Sequence, residues 1–208
     1  MRKLLIIILF SFAIASHGQE QPPIQFSLGM GLDAGFLFGN QKYSSTNENY
    51  KFNNSEIGFD IFFDVEILYY ALFETIIYTI LDTERFDNND PSKTLWLNLS
   101  FSLFGQYPFY LNRNLRLSPL LGFSFTLRLF HKDDYSFSWR GNEEIVQNND
   151  QVWLKLGGII EYHLTDHILF HSRMLYNIQI YRRWVAKNTD VNQSKHGPSI
   201  ILGIKYVF

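Results

Sequence analysis

The sequence predicts an all-β fold: an eight-stranded antiparallel up-and-down transmembrane β-barrel, preceded by a cleaved signal peptide. Three observations lead there. Eight separate runs alternate apolar and polar residues with period two, the pattern of a strand with two unlike faces. Long polar connections alternate with tight turns, the rhythm of a barrel that crosses a membrane with its strands. And after a short apolar leader no apolar block is long enough to cross a bilayer as a helix.

The leader comes first. Arg2 and Lys3 supply the positive start, LLIIILFSFAIA the apolar core, and Ser16 and Gly18 the small residues before a cut. Cleavage after Gly18 divides the chain into a signal peptide over 1–18 and a barrel domain over 19–208. The apolar core falls short of the roughly 20 residues a spanning helix needs, which argues against an uncleaved anchor. Cleavage removes two basic and no acidic residues, leaving 16 basic against 20 acidic and a charge of −4. No strong positive field favours nucleic acid. The 208 residues are 46% hydrophobic and 17% aromatic, yet mean hydropathy is only −0.10. The apolar side chains are therefore diluted by polar neighbours. The chain has no cysteine, which excludes disulfides, thiolate zinc sites and a lipid-anchored N-terminus.

The strands follow in order. In IQFSLGMGLDAGFLF one face is Phe26, Leu28, Met30, Leu32, Ala34, Phe36 and Phe38, against Ser27, Gly29, Gly31, Asp33 and Gly35. EIGFDIFFDVE sets Ile57, Phe59, Ile61, Phe63 and Val65 against Glu56, Gly58, Asp60, Asp64 and Glu66. A third run, Leu72 to Thr83, alternates less cleanly. TLWLNLSFSLFGQY, LRLSPLLGFSFTLRLF, QVWLKLGGIIEYHL and ILFHSRMLYNIQIYR supply the next four. The terminal run SIILGIKYVF makes eight, with Ile200, Leu202, Ile204, Tyr206 and Phe208 on one face. Polar connections are expected near Asn40–Ser55, Asp82–Ser92, His131–Asp150 and Trp184–Gly197. Short turns are expected near Tyr69, at Leu111–Asn114 and at Thr165–His167.

Alternation does not say which face points inward; a soluble lipocalin-type barrel would bury the apolar one. The membrane arrangement is favoured by the stripe length, which matches the roughly 9–11 residues of a spanning strand. Aromatics also gather at the strand ends, as at lipid–water interfaces. Tyr69, Tyr70, Tyr107, Phe109, Tyr110, Tyr206 and Phe208 lie at the short-turn end; Phe36, Phe38, Phe130, Tyr181 and Trp184 lie at the other. The polar face is rich in Gly and Ser, as a narrow lumen requires.

SIILGIKYVF resembles the terminal assembly signal of Gram-negative outer-membrane β-barrel proteins, with Ile204, Tyr206 and Phe208 alternating back from the end. The resemblance implies a cell outer-membrane location and a lipid environment. It also implies dealings with the barrel-assembly machinery and periplasmic chaperones during biogenesis. Closure of the last strand on the first would satisfy every backbone group in lipid.

An eight-stranded barrel has room for side chains and at most one small ligand. The face read as inward carries Asp33, Asp60, Asp64, Glu66 and Glu74 on early strands, and Arg116, Arg128, Lys155, Arg173, Arg183 and Lys205 on later ones. Unpaired charges there are costly, so a salt-bridged plug is expected; the alternative is a narrow porin-like channel for small solutes. The turn at Thr165–His167 sets Glu161 opposite His171, with Arg173 diagonal. A carboxylate on an imidazole is part of a nucleophile-activating arrangement, but Ser172, next along the strand, faces lipid. Lipid A deacylases of this barrel size carry His-x-Ser-Asn-x-Gly, and His171–Ser172–Arg173 breaks that spacing. The pair is read as structural and the protein as non-enzymatic, with a lipid-modifying enzyme as the alternative. His163 and His167 would suit a metal only on a helix, and here they flank a turn, so neither metal nor cofactor is expected. Asn47, Asn53, Asn88, Asn148 and Asn149 fall in connections without a calcium-loop pattern. Such loops on a rigid barrel suit a structural, adhesion or binding role.

Overall fold

In the computed structural model, residues 24–43, 49–86, 92–133, 137–139, 150–182, 185–186 and 189–208 are described. The leader, Arg183 and Trp184, and Asn47, Asn88, Asn148 and Asn149 lie outside them, as does the side chain of Tyr181.

Eight long strands form a ring: β1 (Ile24–Tyr43), β2 (Asn49–Ile67), β3 (Ala71–Phe86), β4 (Ser92–Gln106), β6 (Leu115–Lys132), β8 (Gln151–His163), β9 (Ile168–Arg182) and β11 (Thr189–Val207). Three short strands accompany them: β5 (Phe109–Tyr110), β7 (Phe137–Trp139) and β10 (Val185–Ala186). All neighbouring pairs are antiparallel, and β1 pairs with β11 to close the ring, from Ser27↔Val207 to Tyr43↔Val191. Closure leaves no sheet edge, the condition for a sheet to span lipid.

The alternation has the polarity expected of a membrane barrel. Leu32 and Ile57, for example, are 66% and 69% exposed, whereas Asp60 and Glu74 are buried. The outer wall is apolar and the inner wall carries the charge.

Two features depart from the sequence reading. The segments expected as the connections Asn40–Ser55 and Trp184–Gly197 are largely strand, because β1, β2 and β11 run past the apolar stripe. Asn53 thus lies within β2, not in a loop. There the ladder continues between two polar faces, so no apolar contrast marks it. The lumen is also less polar than expected. Phe62, Leu72, Ile76, Phe104, Leu120, Ile159, Leu175 and Ile201 are buried among the inward residues. This explains the poor alternation of β3, which carries apolar residues on its inward face (Leu72, Ile76, Ile80, beside Glu74 and Asp82) as well as its outward one (Phe73, Ile77, Leu81). Two aromatic rings fold over glycines of β1: a Cβ at Gly29 or Gly39 would overlap the Phe62 or Phe52 ring, each its register partner on β2. Flat, side-chain-free wall on β1 is what lets these rings lie down in so narrow a lumen.

A register shift between Leu97 and Asn98 leaves Leu129 as the extra residue of β6, since Asn98 pairs with Arg128 and Leu97 with Phe130. Such a bulge resets the alternation. Phe130 consequently joins the outer face, where it packs on Trp139 (4.8 Å), and His131 turns inward onto Trp96 (4.5 Å). Aromatic contacts also join Phe36 to Phe38 (5.0 Å) at that end, and Tyr70 to Tyr107 (5.8 Å) and Tyr206 to Phe208 (5.3 Å) at the other.

The β2–β3 turn is strained. Leu68 and Tyr69 have φ of 49° and 65°, and Tyr70 N–H donates to Ile67 O at 3.2 Å, the pattern of a type I′ turn. Bulky residues are disfavoured there, by roughly 1–2 kcal/mol each. Replacing Leu68–Tyr69 by Asn-Gly, the pair this turn prefers, is therefore expected to raise the urea midpoint of the folded barrel; an unchanged or lower midpoint would show that Leu68 and Tyr69 contribute interfacial contacts that outweigh the strain.

Candidate functional site

The lumen gathers ionisable side chains at the short-turn end. Inward residues of β2, β6, β8 and β11 form one chain of ion pairs. Arg116 Nη2 lies 2.5 Å from Glu66 Oε2, and its Nε lies 3.4 Å from Glu161 Oε2. Glu161 also takes a hydrogen bond from Lys205 Nζ, which reaches Asp64 Oδ2 at 3.5 Å. Beside it Arg173 pairs with Glu74, both essentially inaccessible to solvent. The Arg173 guanidinium stands 5.9 Å from the ring centres of both Phe62 and Phe104. Phe104 belongs in turn to an apolar cluster with Leu72, Leu120, Ile159 and Leu175. Ion pairs and apolar side chains thus interdigitate across the bore. Burial of this kind is sustainable only because each cation meets a carboxylate; an unpaired one would be strongly unfavourable.

Of the charged residues that the sequence placed in one network, Asp64, Glu74, Arg116, Glu161, Arg173 and Lys205 are brought together as ion pairs. His171 is the register partner of Glu161, as the turn spacing indicated, but its Nδ1 stands 4.0 Å from Glu161 Oε1, beyond hydrogen-bond reach. Its ring instead packs 5.1 Å from that of Phe62. Arg128 donates to Asn98 Oδ1 at 2.8 Å and lies 4.5 Å over the Trp96 ring. Asp33, Asp60 and Lys155 make no ion pair among the described residues. They line a cavity of about 60 Å³ together with Tyr78, Thr126 and Arg128. That is room for on the order of four waters. The difference has a geometric cause: pairing across a lumen depends on shear and side-chain reach, which one strand's pattern does not contain.

The sequence reading missed the pair Lys195–Glu84, 3.4 Å apart. Both residues fall in segments the hydropathy pattern reads as connections; the continuing polar ladders place them inward. It also missed the use made of His167, whose Nδ1 lies 3.1 Å from Val207 O, while Val207 N–H donates to His167 O at 2.8 Å. The short turn is thereby tied to the closing strand. At the end of that strand Phe208 N–H donates to Phe26 O at 3.0 Å. Ile204, Tyr206 and Phe208 all face outward and are exposed. Ser172, beside His171, pairs in register with Ile160 and Leu202 on the outer wall, away from the imidazole.

No family model matches the sequence, and no curated protein matches it. Solved structures do match. The outer membrane protein OprG from Pseudomonas aeruginosa is 14% identical with a TM-score of 0.55, over 88% of this chain and 95% of that one. Neisserial surface protein A is 12% identical with a TM-score of 0.43, over 85% and 96%. The outer membrane protease OmpT from Escherichia coli is 9% identical with a TM-score of 0.43, over 92% and 99%. At these identities the likeness speaks for the fold, and of these three OprG, with a TM-score above 0.5, is near enough in shape to weigh. Together with the apolar outer wall and the closed ring, it gives this chain the fold of a small membrane-spanning β-barrel like those of the Gram-negative outer membrane.

Proposed function

We propose that the protein is a non-enzymatic outer-membrane barrel whose lumen is plugged and whose long connections are displayed outside the cell for a structural, adhesion or binding role. The observation that carries this reading is the interdigitated layer of Arg116, Glu161, Lys205, Arg173 and Glu74 with Phe62 and Phe104 across the bore. A plugged lumen leaves the loops as the part that meets other molecules. The burial of His171 within the lumen, with Ser172 on the other side of the wall, speaks against a lipid-modifying or proteolytic centre there. Planar-bilayer recordings test the plug. Wild type is expected to give no sustained conductance, and Glu74→Ala with Arg173→Ala is expected to open one. Large, stable conductance of the wild-type protein would instead make it a narrow pore.

The outward face of Ile204, Tyr206 and Phe208 supports recognition of β11 by the barrel-assembly machinery, with periplasmic chaperones delivering the chain to it. Deleting Phe208 is expected to lower outer-membrane levels more than deleting one residue from the connection at 44–48. Equal levels would remove that role from the terminal residue.

A further inference from the structure

The cavity above the plug holds charge that the plug does not use. Its lining runs from Arg173 to Asn177 on β9 and from Lys155 to Gln151 on β8, toward the long-loop end. Asp33 on β1 and Glu56 and Asp60 on β2 line it as well. Asp60 is only 1% exposed, yet neither of its oxygens has a hydrogen-bond partner among the described residues, and nor does Oδ1 of Asp33. Glu56 takes a long hydrogen bond, 3.5 Å, from Asn54 Nδ2. Of the cations in the lining, Arg173 is held by Glu74, and Arg128 is engaged by Asn98 and Trp96. That leaves Lys155, across the lumen on β8, to face the carboxylates of β1 and β2. The carboxylates are in surplus, and buried charge without a partner is costly.

The spacing of the three acids identifies what they would hold. They do not converge on a point but are strung along the inner face of β1. Asp60 leans onto Gly31 and Glu56 onto Gly35: a Cβ at Gly31 would stand 2.7 Å from Asp60 Oδ1, and one at Gly35 3.4 Å from Glu56 Oε2. Asp33 lies between them, so three successive inward positions of β1 each present a carboxylate. Successive residues on one face of a strand stand about 7 Å apart. Among the described residues no group of three or more acidic or histidine side chains could share a metal ion. A stepped row suits a ligand whose positive charges are themselves separated. An extended saturated chain of about five or six bonds, each about 1.5 Å long, spans one such step. A primary ammonium donates three hydrogen bonds and accepts none, and its bonds to carboxylates are among the stronger ones. Ile201, the register partner of Asp33, lines the cavity with Leu37 and Ile76 and offers apolar wall to the methylenes. Space for on the order of four waters admits a slender chain and refuses a branched or ring-bearing cation.

We infer that this cavity binds a linear aliphatic diammonium ion, with its two charged ends on neighbouring steps of the Asp60–Asp33–Glu56 row. The inference gives a ligand class to the binding role proposed above. It rests on the plug only for the side of entry, because the Arg173–Glu74 layer closes the floor and leaves the long-loop end as the way in.

Isothermal titration calorimetry of the folded protein in detergent micelles, with 1,5-diaminopentane as the probe, tests this. The wild type is expected to bind it saturably, one to one, and at least tenfold more tightly than 1-aminopentane, which lacks the second charge, or 1,2-diaminoethane, which is too short to span a step. Asp60→Asn is expected to bring the diamine down to the affinity of the monoamine while remaining heat-modifiable on gels. If that variant does not fold, Asp33→Asn is expected to do the same, and Asp166→Asn, in a turn at the other end of the barrel, to change nothing. No saturable binding by the wild type, equal affinity for the monoamine and the diamine, or a folded Asp60→Asn or Asp33→Asn variant that keeps the preference would each overturn the inference. A lumen that conducts would show in planar-bilayer current while the diamine still bound, so failure of the plug and failure of the binding site are told apart.

Discussion

Arg173→Met is expected to destabilise the folded barrel by about 3–5 kcal/mol, the cost of removing one partner from a buried ion pair. Glu74, left behind, is fully buried. The loss comes from an uncompensated charge more than from the attraction of the pair, so removing both charges should be milder. Glu74→Gln combined with Arg173→Met is expected to recover most of the stability, measured as reversible urea unfolding in lipid vesicles followed by tryptophan fluorescence. Were the single variant as stable as wild type, the pair would have to be hydrated and the dry lumen wrong.

Lys205→Ala should cost a similar amount, because one ammonium serves both Glu161 and Asp64. The contrast with Asp60→Asn is instructive. Asp60 is buried but has no cationic partner among the described residues, so trading its charge for an amide should leave stability within about 0.5 kcal/mol or improve it. The alternating pattern alone put Asp60 and Lys205 in the same plug; the lumen separates them. A loss for Asp60→Asn as large as that for Lys205→Ala would show that a cation reaches Asp60 after all.

Much of the fold was legible because lipid writes on the sequence. Each membrane-level strand must show hydrocarbon on one face, so residues such as Phe59, Ile61 and Phe63 repeat with period two. Above the membrane this constraint lapses. Along Asn192 to His196 the residues are polar on both faces while the ladder to β1 continues, so hydropathy could not find it. Inside, the packed lumen admits apolar side chains among polar ones, so Phe62 and Phe104 interrupt an otherwise polar face. The bulge near Leu129 was hidden for a similar reason. It changes which face Phe130 occupies without changing the composition around it. The Glu161–His171 register, by contrast, followed from counting across one tight turn. Partners across the lumen, such as Arg173 and Glu74, depend on ring geometry that no single strand encodes.

Closure of the ring between β1 and β11 underlies the outer-membrane barrel and everything placed inside it. The chain has no cysteine, which makes a direct measurement possible. Met30 and Ile204 are register partners, both on the outer wall. Neighbouring strands hold such partners about 4.5–5.5 Å apart at Cα, within disulfide range. Met30→Cys with Ile204→Cys, folded in lipid vesicles and oxidised, should form an intramolecular disulfide in nearly every molecule. Met30→Cys with Ile200→Cys, displaced four residues along β11, should form little. Failure of the first pair to crosslink in the folded protein, or preferential crosslinking of the second, would contradict the closed eight-stranded barrel.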